Sequence, residues 1–363
     1  MNPALHIAYG TRGVAKLVAA LSDGTPDVSQ SLATLNGLMS SQECKLQALE
    51  NDGAILPVLT GLLSSSEAMT RRQAALAIAS LTLVYQGRIA AADAATAAAL
   101  AGPLCADGDA DVRAACAQAI ESLTSSRDGC SVVMAAEGIV TKLTEALDDA
   151  KGAVVSASLA ALAALSRLDL GVDEALAAGA VAKLAKLVDA AQRDANLLET
   201  GLQALWNLSN TPDGKTAAIS AGLMDTLAKQ IKIGMPKVKR LAAGCVMAIT
   251  IDKDAKLAGL ACVEPLCELL FAHGSEASAV RDAIGALKNI TELPKARKMV
   301  DSWAKGAGVQ ERMSELFDNK LFDHKQWPAS LRFQHQNVAP GGWASREEAA
   351  TRERWGYPRP FAM

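Results

Sequence analysis

Residues Gly201–Gly222 read GLQALWNLSNTPDGKTAAISAG. Two structures compete for this stretch. DGKT, residues 213–216, has the ending of a phosphate-binding loop, whereas the whole stretch has the pattern of a helix, a turn and the start of a second helix. A loop of the form G-x-x-x-x-G-K-[ST] needs a glycine five places before Gly214, because that glycine opens the loop and backbone N–H groups then wrap the phosphates. Position 209 is Ser209, and Pro212 inside the loop has no N–H to offer. Such a loop also follows a strand, and here Leu202, Leu205 and Leu208 recur at helical spacing. Asn210-Thr211-Pro212-Asp213-Gly214 therefore reads as a turn between two helices.

The pattern is not unique to this stretch. SLATLNGLM (Ser31–Met39), AALAIASLT (Ala74–Thr82), AQAIESLT (Ala117–Thr124), LAALAALS (Leu159–Ser166), LQALWNLS (Leu202–Ser209), CVMAIT (Cys245–Thr250) and IGALKNIT (Ile284–Thr291) share one frame. Their equivalent apolar residues are Leu38, Leu81, Leu123, Leu165, Leu208, Ile249 and Ile290, about 42 residues apart. A second ladder runs between them through Leu17, Val58, Leu143, Leu184, Leu227 and Leu266, most of its rungs opened by a glycine such as Gly138, Gly179 or Gly222. Its third rung, near Leu100, is blurred by an alanine run and by Gly102-Pro103. Two ladders with one period describe one supersecondary unit repeated about seven times. Such a unit cannot bury its apolar face alone; stacking does so, at ~1.5–3 kcal/mol per buried Leu or Val side chain.

Composition agrees. Hydrophobic residues make up 50% of the 363 residues but aromatics only 4%, so the apolar fraction is mostly Ala, Leu and Val, of which Ala and Leu favour helix. The net charge of -3 argues against a globally basic nucleic-acid binder. No uncharged run exceeds 15 residues, Gly152–Ser166 being one, short of the ~20 that span a bilayer; no membrane association is expected. The seven cysteines are scattered, with no C-x-x-C pair, which points to a reducing compartment and argues against zinc.

Catalytic patterns are missing. The four histidines, His6, His273, His324 and His335, form no H-E-x-x-H, and there is no G-x-S-x-G elbow. Asp148-Asp149 and Glu347-Glu348 are adjacent in sequence, and neighbours on a helix point in different directions rather than at one substrate. The expectation is a protein without enzymatic activity, cofactor or metal.

A three-helix unit with G-[AI]-[IV]-x-x-L-x-x-L-L in its second helix and a late A-L-x-N-[LI] resembles the armadillo repeat, with HEAT repeats as the structural alternative. The resemblance implies an all-α, ARM/HEAT-like α-solenoid superhelix over residues 13–318, preceded by an N-terminal arm (1–12) and followed by an extended, mostly irregular tail (319–363). In armadillo proteins the third helices line a concave surface on which peptides bind. Nuclear-import receptors carry a Trp-x-x-x-Asn array there. In this chain the asparagine slot reads Gly37, Ser80, Ser122, Ala164, Asn207, Ala248 and Asn289, and Gln203 and Gly285 stand where the tryptophans would be. The import-receptor pattern is therefore not met. Asn207 and Asn289 are read either as groove contacts or as bridges between helices. Arg71-Arg72 and Lys237, Lys239 and Arg240 cluster at third-helix starts; they are either solvated helix ends or a basic stripe for an acidic partner segment.

The tail differs in kind. Trp327, Phe333, Trp343, Trp355 and Tyr357 are among seven aromatics in its 45 residues, against thirteen in the whole chain. Disordered tails are normally aromatic-poor, so these side chains are expected to act as anchors, either folded back on the last repeat or, as favoured here, docked on other proteins. Finally, AYGTRGVAKLVAAL (Ala8–Leu21) resembles the start of the radial-spoke armadillo proteins of motile cilia. That resemblance implies a non-catalytic scaffold subunit of the axonemal radial spoke, held in a large hetero-complex by other spoke and axonemal proteins. The alternative is a soluble cytosolic peptide receptor acting in trafficking or at the vacuole.

Overall fold

The computed structural model describes residues 12–318 apart from 25–26, 51–53, 94 and 192–193. Most of the expected N-terminal arm and the whole tail lie outside the described residues. What is described is helical, with no strand, and it forms two compact units that divide between Leu165 and Ser166.

In the first unit the helices follow one another in triplets. Gln42–Ala48, Ile55–Leu62 and Ala68–Thr82 form one; Tyr85–Asp93, Thr96–Ala106 and Ala110–Thr124 the next; Arg127–Met134, Ile139–Glu145 and Gly152–Leu165 a third. The third helices pack side by side in series, beginning with Val28–Leu38, and each also packs on its own second helix. The second unit repeats this with Asp169–Ala177, Ala180–Ala190 and Ala195–Leu208, then Pro212–Ser220, Leu223–Ile233 and Pro236–Ile249, then Lys253–Ala258, Val263–Phe271 and Ala277–Ile290. Pro294–Ala307 and Gln310–Asp318 follow.

The ladders are the core. Leu81, Leu123, Leu165, Leu208, Ile249 and Ile290 are all fully buried, as are Leu17, Leu143, Leu184, Leu227 and Leu266. Two rungs are corrected by one residue. Met39 and Leu59 occupy the core, while Leu38 and Val58 are only half-buried. Where both neighbours in sequence are apolar, spacing cannot say which one turns inward. The blurred rung is a regular second helix: Leu100 and Leu104 are fully buried, and Pro103 is accommodated inside Thr96–Ala106.

Turns follow local chemistry. Asp109, Ser126, Asp194, Thr211 and Asp252 each accept a hydrogen bond from a backbone N–H in the first turn of the helix they start, each contributing ~1 kcal/mol. Gly138, Gly179 and Gly222 open their second helices with φ of 71°, 71° and 65°, in the left-handed region that costs a residue with a side chain ~1–2 kcal/mol. The equivalent residue before Thr96–Ala106 is Ala95, at φ 48°, the only non-glycine with positive φ among the described residues. Ala95→Gly is accordingly expected to stabilise the protein by about 1 kcal/mol, read as a higher urea midpoint with unchanged slope.

Candidate functional site

The DGKT stretch resolves into packing. Thr211 Oγ1 accepts from Gly214 N at 3.1 Å and caps the helix. Gly214 sits against the end of the preceding third helix, where an added Cβ would overlap the carbonyl oxygen of Leu208. Gly87 and Gly129 meet the carbonyls of Leu81 and Leu123 in the same way. Lys215 is 3% exposed. Burial pushes its ammonium down to about 8, against a smaller opposing pull from Asp252. A lysine with a lowered folded pKa destabilises the fold while charged, so stability should rise between about pH 8 and 10.5 as the folded state sheds its proton first. Lys215→Met is expected to raise stability at pH 7 by about 2 kcal/mol and to flatten that rise, measured by urea denaturation across pH.

The third-helix faces carry the sequence-derived candidates. In the first unit, Arg71 is committed to the fold. Its Nε and Nη2 donate to Asp107 Oδ2 at 2.6 Å and Oδ1 at 2.9 Å, and its Nη1 donates to the Ser65 and Ser66 carbonyls. Arg113 repeats the device one triplet on, donating to Asp149 Oδ2 and Oδ1 at 2.6 and 3.1 Å and to the Asp107 carbonyl at 2.9 Å. Both guanidinium–carboxylate pairs span 36 residues and tie a third helix to the end of the next second helix. The guanidinium hydrogen bonds hold the Asp107 and Asp149 carboxyls below their usual range. The Arg71 guanidinium is thus engaged both in the joint to the next repeat and with its own turn, its side chain 18% exposed. Arg72, by contrast, keeps its side chain 40% exposed and lies 4.0 Å from Asp111, which also pairs with Lys151, so a surface row of alternating charge crosses two third helices to the residue that precedes the next, Gly152–Leu165. Beside it, Met69 and Leu83 are 48% and 52% exposed, with Leu76 half-buried between them on the same helical face.

The second unit presents a different face. Asn207 is 8% exposed; its Nδ2 donates to Ser166 Oγ at 3.0 Å and its Oδ1 accepts from Gln203 Nε2 at 3.1 Å. Asn289 Nδ2 donates to the Met247 carbonyl at 3.0 Å. Asn289 thus bridges successive triplets, and Asn207 holds the residue at the start of this unit. Residues 241–250 of the next third helix are buried throughout. Glycine makes this possible: a Cβ on Gly244 would stand 2.9 Å from the Trp206 ring, and one on Gly285 would run into Met247 Sδ. Trp206 and Met247 hold equivalent places on successive third helices, and each lies over a glycine of the next. Lys237 pairs with Glu199, and Arg240 Nε stands 3.9 Å from Glu276. Asp282 is 4% exposed; burial pushes its carboxyl up to about 6, with Arg281 and Arg240 pulling the other way. Trp327, Phe333, Trp343, Trp355 and Tyr357 lie outside the described residues.

Sequence reasoning missed the Arg113–Asp149 joint and the Trp206–Gly244 stack. The joint had a signal, since Arg71 and Arg113, and Asp107 and Asp149, recur at the repeat period. Burial pushes the thiols of Cys116, Cys262 and Cys267 up to about 12, while Cys105 is exposed.

With this geometry in hand, comparison with known proteins is informative. The family described as the plant U-box protein ARM repeat region matches residues 14–233. A search of curated proteins gives no match. Among solved structures, an engineered protein from the Northeast Structural Genomics Consortium superposes with TM-score 0.74 at 23% identity, covering 93% of this chain and 84% of its own. A designed armadillo repeat protein gives TM-score 0.57 at 19% identity, over 65% of this chain and 99% of its own. Another, solved in complex with the peptide (KR)4, gives 0.57 at 21%, over 65% and 99%. At these identities the structural likeness establishes the fold alone.

Proposed function

Because the chain belongs to the armadillo-repeat family, we propose that it works by binding other proteins, as a non-catalytic scaffold subunit of the radial spoke in the ciliary axoneme. The observation that carries the scaffold reading is the face of the second unit. Asn207 and Asn289 are engaged with other residues of the unit, and the third helix at 236–249 is closed over by its own surroundings from residue 241 onward. A receptor that grips peptide backbone needs those amides pointing outward; a brace between neighbouring subunits needs the joints that are present. The spoke assignment rests on the resemblance of Ala8–Leu21 to radial-spoke armadillo proteins. Its partners are other spoke and axonemal proteins, and its place is the cytoplasmic axoneme of a cilium or flagellum.

A second reading has its own support. In the first unit Met69, Leu76 and Leu83 form an open apolar column beside the Arg72–Asp111–Lys151 row, a surface on which a partner peptide with apolar anchors could lie, as expected of a soluble receptor. The mixed charge of that row does not favour a purely basic peptide.

One fractionation separates the two. The tagged protein is expressed in ciliated cells, cilia are isolated and demembranated with detergent, and the axoneme is blotted, in normal cells and in a mutant lacking radial spokes. Retention in the normal axoneme and loss from the spokeless one is the expected result. Release into the detergent-soluble fraction would sink the spoke assignment and leave the receptor.

A further inference from the structure

Within the second unit, each first helix packs on the triplet before it. Pro212–Ser220 rests on Asp169–Ala177 and Ala180–Ala190, and Lys253–Ala258 rests on Pro212–Ser220. Pro294–Ala307 packs on Val263–Phe271, and Gln310–Asp318 packs on Pro294–Ala307 and on Ala277–Ile290. Gln310–Asp318 is the last described helix. A cleft of about 500 Å³ lies between the last two helices, its apolar lining made by Val300, Ala304, Met313 and Phe317, with Arg297, Asp301 and Lys305 as its charged residues. That size lies within the ~300–1,000 Å³ of pockets that enclose a substantial ligand. Val300, Ala304 and Met313 are already buried, so the apolar surface left at the mouth of the cleft is that of half-buried Phe317.

We propose that the stem of this chain's own tail, residues 319–333, is the occupant, with Phe322 and Trp327 seated in the cleft and Asp323 against Arg297 and Lys305. Three observations select it. The chain leaves the described structure next to Phe317, which lines the cleft, and Phe322 follows within ~18 Å of contour length. The stretch NKLFDHKQW (319–327) supplies Leu321, Phe322 and Trp327 for the apolar lining, Asp323 for Arg297 and Lys305, and Lys320 and Lys325 for Asp301. Tethering gives the stem an effective concentration of the order of mM for a short linker, so an outside partner of ordinary affinity does not displace it. The tail is then divided: its stem caps the solenoid, and Trp343, Trp355 and Tyr357 are left for partner proteins. This inference holds whichever assembly the protein joins.

The test is amide hydrogen exchange on the full-length chain. F322A/W327A is expected to speed exchange in Gln310–Asp318 by about tenfold, while W343A/W355A leaves it unchanged. Unchanged exchange in F322A/W327A overturns the proposal, as does equal acceleration by both pairs. Protection in the parent chain that fades on dilution also overturns it, since it would mean a second copy's tail fills the cleft. A readout without substitution is limited chymotrypsin digestion: cutting after Trp327 should be about tenfold slower than after Trp343, and equal rates count against a docked stem. Fractionation of axonemes does not bear on this result, so the two proposals fail separately.

Discussion

Gly214→Ala is expected to destabilise the protein by about 3 kcal/mol or more, enough to leave the second unit unfolded at modest urea concentrations. The added Cβ has nowhere to go. It would overlap the Leu208 carbonyl oxygen and also crowd Thr211 Oγ1, and both are backbone-anchored, one as the end of a third helix and the other as the cap of the next. Relief requires the two helices to separate, which opens the core around fully buried Leu208. Gly222→Ala is the control. Gly222 has φ 65° and no atom within 4 Å of the place its methyl would take, so the cost there is backbone strain alone, about 1–2 kcal/mol. Equilibrium urea denaturation of both variants checks the contrast. Equal costs would mean that conformational preference, not close approach, explains the glycine of DGKT. The phosphate-loop reading makes the opposite forecast, with stability retained and nucleotide binding lost.

Arg113→Ala should cost about 2–4 kcal/mol. The pair is largely shielded, with Arg113 and Asp149 side chains 17% and 11% exposed, so removing the guanidinium leaves a carboxylate and the Asp107 carbonyl short of donors in a dry joint. Arg113→Lys should recover little, because one ammonium cannot make two parallel bonds to Asp149 and reach the carbonyl as well. The pH dependence follows from the depressed carboxyls of Asp107 and Asp149. Their folded pKa lies below the unfolded value of ~3.9. Their contribution is therefore complete above that value and is lost as pH falls through the folded value. The parent should lose stability steeply in acid, and the alanine variant less so. Parallel acid profiles for the two would refute the joint's role, as would a double-mutant cycle between positions 113 and 149 with no coupling.

Much of this was readable from the chain. Helical spacing, the repeat near 42 residues, capping by Thr211 and Asp252 and the left-handed glycines are local properties. Each is set within a few residues, by backbone sterics or by a side chain reaching its own helix, so it survives in the sequence as a pattern. Where the pattern was locally ambiguous, as between Leu38 and Met39 or Val58 and Leu59, burial chose, because neighbouring apolar residues differ only in which way the helix turns them. Ala95 shows the same limit from the other side: the frame of the repeat predicts a left-handed residue there, although the residue itself does not advertise it.

The role of each polar candidate was decided by tertiary structure. Arg71 and Arg72 are adjacent and chemically identical, yet one is held by Asp107 and the other stands partly in solvent near Asp111. Trp206 owes the place of its ring to the glycine at 244, on the following third helix. Asn207 and Asn289 were open between groove and bridge, and Ser166 and Met247, each about one repeat earlier, settled the geometry of their amides. By itself the sequence determined that this is an α-solenoid of armadillo repeats, because period, caps and turns are short-range. Only the packed structure decided which side chains are spent on holding the repeats together and which remain on the surface, because those partners lie 36 to 42 residues apart and meet through the rotation of one repeat against the next.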